Sequence, residues 1–174
     1  TQIIDELGTS DMDAVQLQRR IGARTGGIAT AMIYEQPTGP DGSVGDPMDV
    51  VAYFALRGKS TGEKASDLFG LMHALLSDAN LAGGQDKAVE MLREAKSSME
   101  SSFISSGNSY AGMRLSARNT LLGYIGESTQ GVTYYESVKS MLELAKSDWP
   151  SLLSKLTSVR DAILTQEGIV INLT

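Results

Sequence analysis

The residues of this sequence that could carry chemistry are few, and their types and spacing match no known catalytic set. His73 is the only histidine, and the chain has no cysteine. Because a zinc site needs three protein ligands, chiefly nitrogen or sulfur atoms, this chain cannot supply one by itself. A serine nucleophile would need His73 as its base. The sequence therefore predicts no catalytic residue and no metal site, and it places His73 on the flank of a helical apolar stripe.

A second candidate is Gly58-Lys59-Ser60-Thr61, which has the same residues as the end of a phosphate-binding Walker loop. The complete motif carries a further glycine five positions before the one that precedes the lysine, and Tyr53 stands there instead. The Gly-x-Gly-x-x-Gly fingerprint of dinucleotide-binding proteins is missing after the predicted strands. We therefore predict no cofactor in this chain.

Arg114 and Arg118 are the remaining candidates, because helical spacing places both within an apolar sector. The sector includes Leu115 and Leu122, and Arg118 lies near its middle. A buried guanidinium is costly unless it is paired and hydrogen-bonded. Two readings remain open. Either each arginine packs inside the domain and pairs with a carboxylate, or the two contact a peptide ligand or a neighbouring domain.

The composition limits the class of protein. The chain has 174 residues, 41% of them hydrophobic, which suits one globular domain with a substantial core. Its net charge of −6 argues against a general nucleic-acid surface and weakly favours cationic partners. No apolar run reaches the roughly 18 to 20 residues that a membrane span needs. Residues 1–8 are typical of the last two turns of a helix that Gly8 ends, so we expect a fragment of a larger protein.

The elements that would position these residues divide at Gly26-Gly27, where helical periodicity changes to alternation. Before the turn, Ser10 is expected to cap a helix together with Asp13. After it, the predicted elements are strands Ile28–Glu35 and Met48–Arg57, separated by the loop Gln36–Pro47. They continue with a helix capped by Ser60–Glu63, helices Gln85–Ser105 and Asn108–Ile125, helices that begin at a Thr133–Glu136 capping box and at Asp148, and a strand Ile169–Leu173 after a turn at Gln166–Gly168.

This order predicts an α+β fold with a mixed sheet and several long helices packed on one face of it. Because both faces of Met48–Arg57 are apolar, that strand is expected in the centre of the sheet.

Three segments and the end of the chain, taken in order, are similar to one protein family. They are Asp5-Glu6-Leu7-Gly8-Thr9 continuing through Leu17 to Thr25-Gly26-Gly27-Ile28, then Leu56-Arg57-Gly58-Lys59-Ser60 leading to Asp67-Leu68-Phe69, then Ser106-Gly107-Asn108 through Ala111 to Arg114, and finally Gly168-Ile169-Val170-Ile171-Asn172-Leu173-Thr174. On these residues the chain resembles the third domain, the first half of the C-terminal lobe, of presequence proteases. They are a branch of the pitrilysin-like zinc metallopeptidases, and the plant and algal organellar enzymes are the most similar.

The resemblance implies a four-domain peptidase whose two lobes close around a chamber. Such an enzyme would degrade cleaved targeting presequences and other short unstructured peptides. Zinc would be bound by an inverted His-x-x-Glu-His motif in the first domain, and nothing here matches that motif. The family's substrate-binding Arg and Tyr belong to the fourth domain, so neither is carried over. Arg114 looks like the counterpart of a family arginine, and Asn108 stands where relatives have histidine. The resemblance also implies a pitrilysin-like αβ domain whose N-terminal strands, which precede Thr1 in the family, are missing from the sheet.

Two functions follow from the resemblance. The first is a non-catalytic wall of the peptide chamber, with other domains of the same peptidase and unstructured basic peptides as partners, in the mitochondrial matrix or chloroplast stroma. The alternative is a purely structural or assembly module of an inactive pitrilysin-like protein. Neither nucleic acid nor a membrane is an expected partner. The isolated chain is expected to self-associate, through its sheet edge or through the helix that ends at Leu7.

Overall fold

The computed structural model describes residues 6–165 and 169–174, and in these ranges the chain forms seven α-helices and one two-stranded sheet. The α+β class is thereby confirmed. The elements are α1 (Ala14–Arg24), β1 (Ile28–Glu35), β2 (Val51–Gly58), α2 (Ala65–Ser77), α3 (Gln85–Ser105), α4 (Gly107–Ser116), α5 (Leu121–Gln130), α6 (Val132–Ser147) and α7 (Trp149–Ile163).

The first helix begins at a different cap from the predicted one. Asp13, not Ser10, is its N-cap: the Asp13 carboxylate accepts the Gln16 N–H at 2.8 Å, and the Gln16 side chain accepts the Asp13 N–H at 3.1 Å. Ser10 instead donates its hydroxyl to Asp78 at 2.6 Å. A carboxylate makes a stronger, charge-assisted bond to the helix N-terminus than a hydroxyl does, which explains the preference.

The turn between α1 and β1 forms where the glycines predicted it. Gly27 has φ +111°, a backbone conformation that favours glycine, while Gly26 does not need one. The Thr25 hydroxyl donates to the Ile21 carbonyl at 2.7 Å and accepts the Gly27 N–H at 3.0 Å, so this side chain also closes the end of α1.

The sheet is an antiparallel hairpin. Its register runs from Ile28 opposite Gly58 to Glu35 opposite Val51. The predicted strand Ile28–Glu35 is confirmed, and so is the loop from Gln36 to Pro47, where Gly42 has φ +79°. Strand β2 begins at Val51, three residues later than predicted. In the part of the chain described here it has one neighbour, so it is not central.

The predicted third strand, Ile169–Leu173, is wrong. These residues have no regular secondary structure, and their apolar side chains are 64–79% exposed. Alternation indicates which residues suit a strand, but a strand also needs a partner edge, which the pattern does not specify. The predicted turn at Gln166–Gly168 lies outside the described residues, as do the first five residues of the predicted N-terminal helix.

The predicted capping box at Ser60–Glu63 does not form at the start of the helix that follows the hairpin. Thr61 leads into a short 3₁₀ turn, Gly62–Lys64, and no side chain caps it. On α2 the buried residues are Leu68, Leu71 and Leu75, whereas Phe69 is 51% exposed. Leu71 and Leu75 form a small core with Leu17 and Ile21 of α1, and Ile28 at the start of β1 packs on it.

The other helices pack mainly on one another, not on the sheet. Helix α6 lies against α3, α5 and α7, and α5 contacts α4. The predicted layer of long helices on one sheet face is therefore not what forms, because two strands are too narrow to cover helices of this length. The second core consists of Ala88, Ala145, Trp149 and Leu152, and the Trp149 Nε1–H donates to the Ala82 carbonyl at 3.1 Å.

Two of the predicted helix boundaries in this region are confirmed and one is wrong. Helix α3 has the predicted bounds, and Asp148 caps α7 by accepting the Ser151 N–H at 3.2 Å. The predicted helix Asn108–Ile125 is two helices separated by residues 117–120, and Thr120 caps the second by accepting the Gly123 N–H at 3.0 Å. A side chain at Gly123 would collide with the Ser116 carbonyl, so this glycine allows the two helices to meet.

Candidate functional site

The structure separates the two arginines that the sequence singled out. Arg118 lies exposed in the turn between α4 and α5, not on a helix, so its predicted place in an apolar sector is wrong. Arg114 is in the last turn of α4, and its side chain is 60% exposed. The prediction aligned both arginines with Leu122 on one continuous helix. Because α4 ends at Ser116 and Leu122 lies on the next helix, that alignment does not hold.

Arg114 nevertheless has the carboxylate partner that one of the two readings required. Its Nε donates to Oε1 of Glu127 at 3.2 Å, and Glu127 is 5% exposed. The same oxygen accepts two bonds from Thr133, from the backbone N–H at 3.1 Å and from the hydroxyl at 3.2 Å. One buried carboxylate therefore joins α4, α5 and α6.

The chain between α5 and α6 fixes the position of Glu127. Gly131 separates the two helices, and its N–H donates to the Glu127 carbonyl at 3.0 Å. A methyl group at position 131 would collide with the Glu127 carboxylate, so the side chain can fold back over the α6 N-terminus only because this residue is glycine. A negative charge at this place also interacts favourably with the dipole of α6.

The electrostatics keep Glu127 ionised. Burial raises the pKa of the Glu127 carboxyl, but the bonds from the Thr133 N–H, from Arg114 and from the Thr133 hydroxyl together outweigh it, and the pKa is lower than its ordinary value. Oε2 has no hydrogen-bond partner among the described residues. The group can anchor helices, but one of its oxygens already accepts three donors, so it does not resemble a general base.

The sequence pointed to a different arrangement at the start of α6. A Thr133–Glu136 capping box was predicted, but α6 begins at Val132, Thr133 donates to Glu127, and Glu136 pairs with Lys139 at 3.0 Å. Glu127 itself was missed. The available signal was a glutamate, Glu127, four residues before Gly131, with Thr133 shortly after. This spacing places a carboxylate one turn before the N-terminus of α6, where Gly131 is the N-cap residue.

Aromatic contacts join α3 to two of these helices, α4 and α6. Phe103 of α3 meets the rings of Tyr110 and Tyr135 edge-on, with centroids 4.6 and 5.1 Å apart. The Tyr135 hydroxyl donates to Glu100 at 2.7 Å, which raises the pKa of Tyr135. These contacts connect α4 and α6, which carry Arg114 and Thr133, to α3. At the end of α3, beside this cluster, Ile104 is 90% exposed.

The other candidates from the sequence do not form a catalytic arrangement. His73 is exposed on α2, with its Nδ1 3.3 Å from the Ser77 hydroxyl. The described residues contain no group of three or more side chains that could hold a metal ion. In the described ranges, none of the helices is long and apolar enough to cross a membrane.

The Walker-like segment forms the end of the hairpin, not a phosphate loop. The Lys59 carbonyl accepts the Gly26 N–H at 2.7 Å, and the Lys59 N–H donates to the Gly27 carbonyl at 3.2 Å. These backbone groups are therefore unavailable to a phosphate. An open groove with a volume of about 310 Å³ lies here, lined by residues 26–29 and 57–59.

Comparison with known proteins agrees with the resemblance seen in the sequence. Residues 1–141 match the model of a family described as peptidase M-16C associated. The chain is 30% identical over 173 residues to "Presequence protease 1, chloroplastic/mitochondrial" of Arabidopsis thaliana. That alignment covers 99% of this chain and 15% of the Arabidopsis protein, so the chain spans a small part of the length of this relative.

Proposed function

Because this chain belongs to that peptidase-associated family, we propose that it is a non-catalytic domain of an organellar zinc metallopeptidase that degrades cleaved targeting presequences and other short unstructured peptides. The observation that carries the proposal is the alignment over 99% of the chain with a presequence protease. The chloroplastic and mitochondrial name of that relative supports an organellar parent protein, for which we propose the mitochondrial matrix, the chloroplast stroma or both.

The chemistry of the described residues supports a non-catalytic role within such an enzyme. They contain no group of three metal ligands, and the one histidine of the sequence is exposed and bonded to a serine. Zinc and the residues that activate water would then come from another domain of the parent. This domain would hold peptides and position the opposite lobe.

The Arg114 site supports a role as a contact surface. In the described part of the chain, the ion pair to Glu127 engages Nε of Arg114, and the Arg114 side chain as a whole is 60% exposed. Its outer N–H groups can therefore donate to a carbonyl or a carboxylate of a neighbouring domain. Ile104 and Leu115, which are 90% and 64% exposed, provide apolar contact area in the same part of the fold.

The net charge of −6 supports basic peptides as substrates. The proposed substrates are cationic presequences. Because opposite charges attract, an acidic wall would raise the local concentration of these peptides within the chamber. The alternative, an assembly module of an inactive relative, would use the same contact surface without any peptide. The presence or absence of the zinc motif elsewhere in the parent protein distinguishes the two functions.

The test is to read the parent sequence for His-x-x-Glu-His and to assay the purified parent with a synthetic presequence peptide. We expect cleavage that a chelator abolishes and that added zinc restores. The 174-residue chain alone, as the matched control, is expected to leave the peptide intact. A parent without the motif and without cleavage would favour the assembly module, and chelator-sensitive cleavage by the isolated chain would refute the proposal.

A further inference from the structure

Near Gly26 one face of the hairpin packs on helices, and we call the opposite face the open face. Its residues at the two ends are exposed, whereas Ala31, Ile33 and Ala55 in its middle are half-buried. Ile28 packs on the core of α1 and α2, and Leu68 of α2 lies against the opposite residue, Gly58. Side chains alternate across a strand, so their neighbours Ala29 and Arg57 project from the other face.

The two ends of this open face carry opposite charges, on residues that are far apart in the sequence. Cations lie at one end and a carboxylate lies at the other, with small or apolar side chains between them. From the cationic end, the paired positions are Lys59 beside Gly27, Arg57 opposite Ala29, Ala55 opposite Ala31, Tyr53 opposite Ile33, and Val51 opposite Glu35.

The cationic end is the groove of about 310 Å³. A methyl group on Gly26 would lie 2.7 Å from Cγ of Lys59, so the lysine stem rests against a position where no side chain interferes. The residues across the hairpin from Arg57 and Lys59 are also small: Ala29 and Gly27. In the described part of the chain, neither Arg57 nor Lys59 uses its charge in an ion pair or a side-chain hydrogen bond. The groove therefore presents two available cations above a floor of backbone and small residues.

We propose that this face binds the free ends of a short extended peptide, with its C-terminal carboxylate at Arg57 and Lys59 and its N-terminal ammonium at Glu35. The proposal rests on the proposed function for its ligand class, short unstructured peptides. From Val51 to Arg57 the face is about 20 Å long, at about 3.4 Å per residue, which fits an extended peptide of about six residues. Charges stand only at the two ends of the strip, so a ligand with charges only at its ends is the complementary one.

The test is an NMR titration of the 15N-labelled chain with a hexapeptide of alanine, serine and one leucine. Three forms of the peptide are compared: free at both ends, amidated at the C-terminus, and acetylated at the N-terminus. We expect the free peptide to shift the amide signals of Gly26, Gly27 and Gly58. Each blocked form is expected to bind about two- to fivefold more weakly at low salt, the range for exposed charge pairs.

Variants locate each end of the peptide. Arg57→Gln with Lys59→Gln should weaken the free peptide and abolish the difference between free and amidated forms, while Glu35→Gln should abolish only the effect of acetylation. Lys155→Gln, an exposed cation on α7, is the matched control and should bind like the unmodified chain.

Equal binding of the three peptides, shifts outside the groove or no shifts at millimolar peptide would overturn the inference. Unchanged spectra of the unliganded variants would show that the fold is intact. Cleavage by the parent enzyme is a separate measurement, so this groove can fail while the proposed function stands.

Discussion

Glu127→Gln tests whether the buried carboxylate holds α4, α5 and α6 together through its charge. The substitution keeps the shape of the side chain and an oxygen that can accept from Thr133. It removes the negative charge at the α6 N-terminus and places an amide where Oε2, which has no partner in the described chain, now lies. We therefore expect a loss of stability without loss of fold.

The magnitude follows from the contacts. A hydrogen bond to a charged group exceeds a neutral one by about 1 kcal/mol, and both Thr133 bonds would change class. The interaction with the helix N-terminus adds about 0.3–1 kcal/mol. Arg114 adds little, because its side chain is 60% exposed and solvent screens the pair. The free energy of unfolding should fall by about 2–3 kcal/mol for Glu127→Gln and by clearly less for Arg114→Gln.

The assay is urea denaturation followed by circular dichroism, with the midpoint and slope of the transition compared between variants. Glu143→Gln is the matched control, because Glu143 also pairs with a cation at 3.2 Å but is 75% exposed. It should leave the midpoint nearly unchanged. If Arg114→Gln cost more than Glu127→Gln, or if Glu127→Gln were neutral, the reasoning from burial and the helix N-terminus would be refuted.

Three further predictions concern the pH dependence of the Glu127 contacts, the glycine between α5 and α6, and the edges of the sheet. Because the folded pKa of Glu127 is lowered below its ordinary 4.5, its stabilisation is present above that pH and is lost as the pH falls through the folded pKa, so the difference in urea midpoint between the unmodified chain and Glu127→Gln should shrink in acid. Gly131→Ala should destabilise the chain in thermal unfolding, because its methyl group collides with the Glu127 carboxylate; Gly112→Ala, where nothing lies nearby, is the control and should not destabilise it. The isolated chain should form dimers or larger species in light scattering, because both edges of the described sheet lack a partner strand, and a strictly monomeric chain at high concentration would contradict this. Leu7 is buried against Gly84, so the sheet edge is the surface we expect to associate.

Several features could be predicted from the sequence because they depend on neighbouring residues alone. The strand Ile28–Glu35, the helix Gln85–Ser105 and the glycine turn between α1 and β1 have the expected positions. Their signals are alternation, a helical stripe and adjacent glycines, which act within a few residues of the backbone. The sequence also shows that the chain has no cysteine and one histidine. Whatever the fold, these counts limit the number of nitrogen and sulfur ligands available to a metal ion.

The tertiary structure decided everything that depends on a distant partner. Periodicity continued past Ser116, but the helix breaks because Gly123 lets α5 approach the Ser116 carbonyl. Glu127 looks like an ordinary surface glutamate in the sequence, and it is buried because Arg114 and Thr133 lie on two other helices. Ile169–Leu173 is rich in the β-branched residues that suit a strand, and it has no partner strand in the described chain. A local pattern states which face of an element is apolar, but not what covers that face, since the covering atoms come from elsewhere in the chain.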